Sequence, residues 1–240
     1  MNNTSTVWTA RETSSWGVND PDIWRPYILP KELVKYLDAD EEVKDKANFA
    51  ADRIKDELET ALAHFQTITT DEFTTFNLSR QRAAYESLYS DLWTLYKDRS
   101  QQYLKAIGID IGFMFAEDNK NFNKYTKVFV ANHPDNADFV QFAKLQRDSW
   151  QNDLSKNRNA HEHHGDLRKG VKEFDNPADA TRLFAQVCWT METIIANLVS
   201  WKLEKLWNVI ENNRESTVFD RVERFTIEHA FTTQQREKKR

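Results

Sequence analysis

The stretch LSKNRNAHEHHGD, residues 154–166, brings Arg158, Asn159, His161, Glu162, His163 and His164 close together in the chain. An arginine side chain is permanently charged and planar, so it can hold phosphoryl oxygens through two parallel hydrogen bonds. A histidine, with an ordinary pKa of about 6.5, can take up or release a proton near neutrality. Together the two suit phosphodiester chemistry. RNA carries its own nucleophile. If a histidine takes the proton from a 2′-hydroxyl while the arginine holds the pentacovalent phosphate, the strand is cut with neither a metal nor a cofactor.

The same residues admit two other readings. HEHH offers the imidazole and carboxylate ligands that zinc, nickel and manganese accept, with His161 and His164 as the candidate pair. Against this, His161 and His163 at i, i+2 splay apart on a helix, unlike the i, i+4 pair of an HExxH motif. The chain also offers no cysteine ligand cluster, and only His64, His133 and His229 as distant additions. The plainest reading is that Arg158, His161 and His163 lie near a helix C-terminus, complement its dipole and bind its last carbonyls.

Whether Arg158 and His163 can meet depends on the helix that carries them. Phe139, Ala143, Trp150 and Leu154 recur as an apolar stripe after Pro134, with Asp135 or Asn136 as the expected cap. Arg158 continues that stripe. His163 and His164 are rotated from Arg158 by about 140° and 240° on an ideal helix. Convergence therefore requires the chain to bend, which Gly165 would permit, or a second copy to supply one partner.

Three further segments show helical periodicity. Over 41–66, Val43, Ala47, Ala50, Ile54, Leu58, Ala61 and Phe65 form one stripe. A second helix is expected after Thr69, Thr70 and Asp71, any of which can cap it, with Tyr85, Leu88, Leu92, Leu95, Tyr96, Tyr103 and Ile107 inward until Gly108. Asn176-Pro177 opens another near 178–212, lined by Phe184, Val187, Met191, Ile194, Ile195, Leu198 and Trp201. The stretch between Gly108 and Pro134 reads as a connector carrying a short helix. Each stripe must be covered by another helix, which predicts an all-α antiparallel bundle of four or five long helices. Residues 1–30, with Trp8, Trp16 and Trp24 but no sustained period, are expected as an extended, irregular N-terminal arm. The bundle then spans 31–212, and 213–240 forms a C-terminal extension with a basic tail.

Composition narrows the setting. One cysteine, Cys188, excludes an intrachain disulfide and fits a reducing, cytoplasmic location. No apolar run is long enough for a membrane span, so no membrane association is expected. The formal net charge of −5 argues against wholesale binding to polyanions, so any contact with RNA must be local. Arg168, Lys169 and Lys172 are candidates for that contact. So is KNFNKYTK, where Phe122 and Tyr125 lie between lysines.

RNAHEH, Arg158 to His163, at the end of a long helix in an all-helical body, resembles the Arg-(four to six residues)-His signature of the HEPN-domain family, and the likeness covers 41–212. That resemblance implies a metal-independent RNA endonuclease whose site forms where two bundles meet in a homodimer. Arg158 and His163 would be catalytic, with His164 as the alternative to His163 because it also satisfies the spacing. Asn159 would orient the pair and Glu162 support it. It equally implies the alternative of a non-catalytic interaction module that binds RNA or a nucleotidyltransferase-type partner, as in toxin–antitoxin systems.

Overall fold

Asp40 starts the longest helix: its carboxylate accepts the Val43 N–H at 3.0 Å, and Glu41 and Glu42 fill the first turn, where the helix dipole favours negative charge. In this computed structural model, which describes residues 25–35, 37–116, 118–134, 137–163 and 176–202, that helix is α2 (Glu41–Thr69). It buries the expected stripe from Ala47 through Ala50, Ile54, Leu58 and Ala61 to Phe65, leaves Val43 half-buried, and runs on to bury Ile68.

Before it lies α1 (Arg25–Val34), which corrects the extended arm expected over 1–30: the helix begins inside that span, and residues 1–24 lie outside the described residues. Pro26 stands in the first turn, where a missing N–H costs nothing. Pro30 sits deeper, yet its carbonyl accepts the Tyr103 hydroxyl at 2.8 Å, and Leu29, Leu33 and Val34 are buried. Tertiary packing thus supports a helix that the local sequence disfavours. Replacing Tyr103 with phenylalanine is expected to lower stability by about 1–2 kcal/mol, because the buried Pro30 carbonyl loses its donor. Urea denaturation of the two proteins checks it; an unchanged midpoint would contradict it.

The second long segment is α3 (Leu78–Trp93), a π-helical stretch Thr94–Arg99, and α4 (Ser100–Ala106) in one rod. Its start differs from the expected cap at 69–71. A 3-10 turn, Asp71–Thr75, intervenes, and Asn77 caps α3 by accepting the Arg80 N–H at 2.9 Å. Phe73, 3% exposed, is buried by that turn, which holds the chain back from entering the helix at once. His64 of α2 contacts Asp91, and Glu57 accepts from Arg99 at 2.9 Å. Numbers rise on one helix as they fall on the other, so the two run antiparallel.

A 3-10 turn, Gly112–Phe115, leads to α5 (Asn119–Asn132), a full helix of 14 residues where only a short one was expected. Asp118 caps it through the Asn121 N–H at 2.7 Å. That bond is the main reason its carboxyl lies below the usual range. Next come α6 (Ala137–Gln146), a second π-helical stretch Arg147–Gln151, and α7 (Asn152–His163). The expected caps Asp135 and Asn136 lie outside the described residues. Last is α8 (Pro177–Lys202), capped by Asn176, whose side chain accepts the Asp179 N–H at 2.8 Å. The 203–212 part of the helix expected there, the Trp201 side chain and the 213–240 extension lie outside the described residues.

Among the described residues there is no strand, and the chain is an all-α bundle. Its core is rich in aromatic rings: Phe65 stacks on Phe184 at 4.9 Å between α2 and α8, and Phe113 meets Phe122, Phe129 and Phe139 at 5.8, 5.0 and 6.0 Å. No described helix is long and apolar enough to cross a membrane.

Candidate functional site

The helix that ends in the Arg-His motif is held by amide side chains as well as by apolar packing. Gln146 closes α6 with 1% exposure, and its side-chain oxygen accepts from Trp150 Nε1 at 2.9 Å, Gln186 Nε2 at 3.1 Å and Thr190 Oγ1 at 3.3 Å. Gln151, five residues on, donates Nε2 to the Met114 carbonyl and accepts the Tyr96 hydroxyl at 3.0 Å through its Oε1. Both amides are buried; Gln151 is bonded through its oxygen and its nitrogen, Gln146 through its oxygen alone, and these cross-helix bonds make them strong determinants of geometry. They fix the rotation of the α6–α7 rod about its own axis. Tyr96, on the other π-helical stretch, also packs its ring against Trp150 at 4.9 Å. Burial pushes the Tyr96 hydroxyl far above its ordinary pKa, so it remains a neutral donor.

That rotation decides what α7 turns inward. Leu154 is fully buried, as its stripe position predicts, and Asn157 is 1% exposed. Arg158 follows beside this inner face: it is half-buried, its Nε is withdrawn from solvent, and the side chain is engaged in an interaction of its own. Asn159 is also half-buried.

Of the remaining motif residues, His161, Glu162 and His163 are helical in backbone, their side chains lying outside the described residues. His164, Arg168, Lys169 and Lys172 lie wholly outside them. Since α7 continues through His163, the chain does not bend between Arg158 and His163, and their backbone positions stand about 140° apart around the helix. Glu162 falls only about 40° from Arg158. The helix is therefore unbroken from Arg158 to His163, and no bend between them brings the two together within one chain.

Among the described residues no group of three or more histidine, cysteine, aspartate or glutamate side chains could hold a metal ion. His64, named as a distant ligand, is instead bound to Asp91, and His133 is buried against Phe129 at 4.9 Å. His229 lies outside the described residues.

The apolar stripe did not foretell the polar groups of the interior. Gln146, Arg147, Gln151, Asn157, Thr190, Glu192 and Thr193 are all buried. The interval from Ala143 to Trp150 was the available signal: a stripe that skips a turn leaves an inward position to whatever occupies it, here Gln146 and Arg147. Arg147 donates to Asn119 at 2.8 Å and lies over the Phe122 ring at 4.8 Å, which ties the π-helical stretch after α6 to α5.

Cys188 stands at this interior, fully buried, and burial, with a smaller push from Glu192, raises its thiol pKa. It is therefore an inert thiol, not a nucleophile. Labelling by a disulfide reagent at pH 8 should be at least about a hundredfold slower in the folded chain than in denaturant, since an opening that costs about 3 kcal/mol must come first. Comparable rates would show Cys188 to be exposed.

No family model matches the chain, and no curated protein or solved structure matches it.

Proposed function

We propose that the chain is a HEPN-like, metal-independent RNA endonuclease in which Arg158 of one copy and His163 of another act across the cleft of a homodimer. The observation that carries this reading is the unbroken course of α7 through His163, which separates the two positions on one helix and leaves their pairing to a second copy. Arg158 fits the role of a held cation. It is half-buried beside the packed inner face, and the rod that bears it is fixed by Gln146 and Gln151, so its guanidinium would meet a phosphate with little reorganisation.

In this reading His163 removes the 2′-hydroxyl proton, the 2′-oxygen attacks the adjacent phosphorus, and the P–O5′ bond breaks. The leaving 5′-oxygen takes a proton from water. The products are a 2′,3′-cyclic phosphate and a 5′-hydroxyl, with no metal or redox partner required. Asn159 orients the pair, Glu162 supports it, and His164 stands as the substitute for His163. Arg168, Lys169 and Lys172 guide the backbone of the RNA.

The test is incubation of the purified chain with single-stranded and structured RNA in EDTA. Cutting that leaves cyclic-phosphate ends supports the reading, and intact RNA under all conditions overturns it. The withdrawal of Arg158 Nε from solvent favours a second reading, in which the arginine serves packing and the chain is a non-catalytic interaction module. Its partner would be RNA or a nucleotidyltransferase-type protein of a toxin–antitoxin pair. A stable complex with such a protein, without RNA cleavage by the free chain, would favour that alternative.

A further inference from the structure

The outward face of α5 is basic and aromatic in a chain whose formal net charge is −5. Phe122 and Phe129 turn inward onto Phe113, which fixes the opposite side of the helix toward solvent. On that side Lys120, Lys124 and Lys127 fall within about 60° of one another around the axis. Beside them run Asn121, Tyr125 and Val128, with Tyr125 46% and Val128 54% exposed.

These lysines share with Lys44, Lys97 and Lys144 the lack of an ion pair among the described residues, and differ from them in standing together on one helix face. Lys31, Lys35, Lys46, Lys105 and Lys156 each lie within ion-pair distance of a carboxylate, whereas among the described residues Lys120, Lys124 and Lys127 form no such pair. Helix α5 itself contains no acidic residue. Asp118, just before the helix, caps it through the Asn121 N–H and side-chain amide, both at 2.7 Å, and its charge also acts on Lys120, while Lys124 and Lys127 lie a turn or more further on. Lys124 Nζ stands 5.3 Å from the Tyr125 ring centre, so cation and aromatic face form one surface.

We propose that this face of α5 binds a single-stranded polynucleotide, with the three lysines on backbone phosphates and the Tyr125 ring stacked on a base. Phosphates supply the charge that the lysines lack, and unpaired bases supply the flat apolar partner that Tyr125 and Val128 lack. A duplex hides its base faces and would leave the aromatic strip uncovered. The location is apt. Arg147 Nη1 donates to Asn119 Oδ1 at 2.8 Å, so the start of α5 abuts the rod that carries Arg158 about 16 Å further along. The face goes beyond the cleavage reading and stands whether or not the chain cuts RNA.

The test is fluorescence anisotropy of the full chain with labelled RNA and DNA oligonucleotides of about fifteen nucleotides, in EDTA and about 50 mM salt. A Kd between about 1 and 100 µM is expected for one or both, the two arms identifying the preferred sugar, and log Kd should rise with log salt at a slope of about 2 for three phosphates. K124E/K127E should weaken binding at least about tenfold, while K46E/K105E, with the same change in charge, should change it less than about twofold. Tyr125→Ser should weaken it about fivefold or more, and a duplex of the same sequence should bind correspondingly less well. K124Q/K127Q repeats the test without new acidic groups, should the reversal disturb folding. Equal weakening by both double charge reversals overturns the proposal, as does absence of binding to either oligonucleotide at about 100 µM. Binding of phosphatidylserine vesicles or polyglutamate in place of both oligonucleotides overturns it too. Binding without cutting would retire the nuclease reading alone; cutting unaffected by the α5 variants would retire only this one.

Discussion

Replacement of His163 by alanine is expected to lower the rate of RNA cleavage by about 10²–10⁴-fold, the range over which a positioned general acid or base contributes. The experiment distinguishes chemistry from architecture because His163 ends the described part of α7, nine residues beyond the fully buried Leu154. Arg158 is the harder test, since its half-buried side chain also packs. In a dimer that shares its sites, a mixture of Arg158→Ala and His163→Ala chains should recover part of the activity, because a mixed dimer retains one intact pair. A cleavage rate unchanged in His163→Ala, or a mixture no more active than either variant alone, would end the shared-site mechanism. A rate that falls only when His164 is also replaced would transfer the proton-moving role to that neighbour.

Truncation of Phe113 to alanine should destabilise the fold by about 3–5 kcal/mol. This ring is 3% exposed and touches three others, Phe122 and Phe129 of α5 and Phe139 of α6. Its removal takes away the transfer free energy of a large side chain, opens a cavity and deletes the edge-on ring contacts in one step. The turn that carries it is too short to collapse into the gap. Phe49, at 64% exposure, is the natural control, and its alanine variant should change stability by less than about 0.5 kcal/mol. Urea midpoints at constant m-value measure both. A loss below about 1 kcal/mol for Phe113→Ala would show that α5 and α6 repack freely around the missing ring.

The helices were legible where one mechanism governs. Apolar spacing announced α2 and α8, and the residues named on them, from Ala47 to Phe65 and from Phe184 to Leu198, are buried. Local signals failed where distant groups decide. Pro30 argues against a helix, yet α1 forms because the Tyr103 hydroxyl and buried Leu29 and Leu33 hold it. Thr69, Thr70 and Asp71 were good caps by type, but Phe73 draws the chain into the core first and Asn77 becomes the cap. At the candidate site the sequence identified the helix and the inward side of Leu154. It did not disclose Gln146 and Gln151, because a period computed from apolar residues has no term for an amide that finds its partners on other helices.

The two π-helical stretches, Thr94–Arg99 and Arg147–Gln151, meet where Tyr96 contacts Trp150 and Gln151. A wide turn of this kind accommodates one residue more than the regular spiral, and one residue corresponds to about 100° of azimuth. Loss of a single codon within Arg147–Gln151 could therefore leave α7 intact as a helix while swinging Arg158 a quarter-turn or more away from its present aspect. The orientation of the motif is encoded upstream of the motif, in a length difference that substitution scanning would never sample.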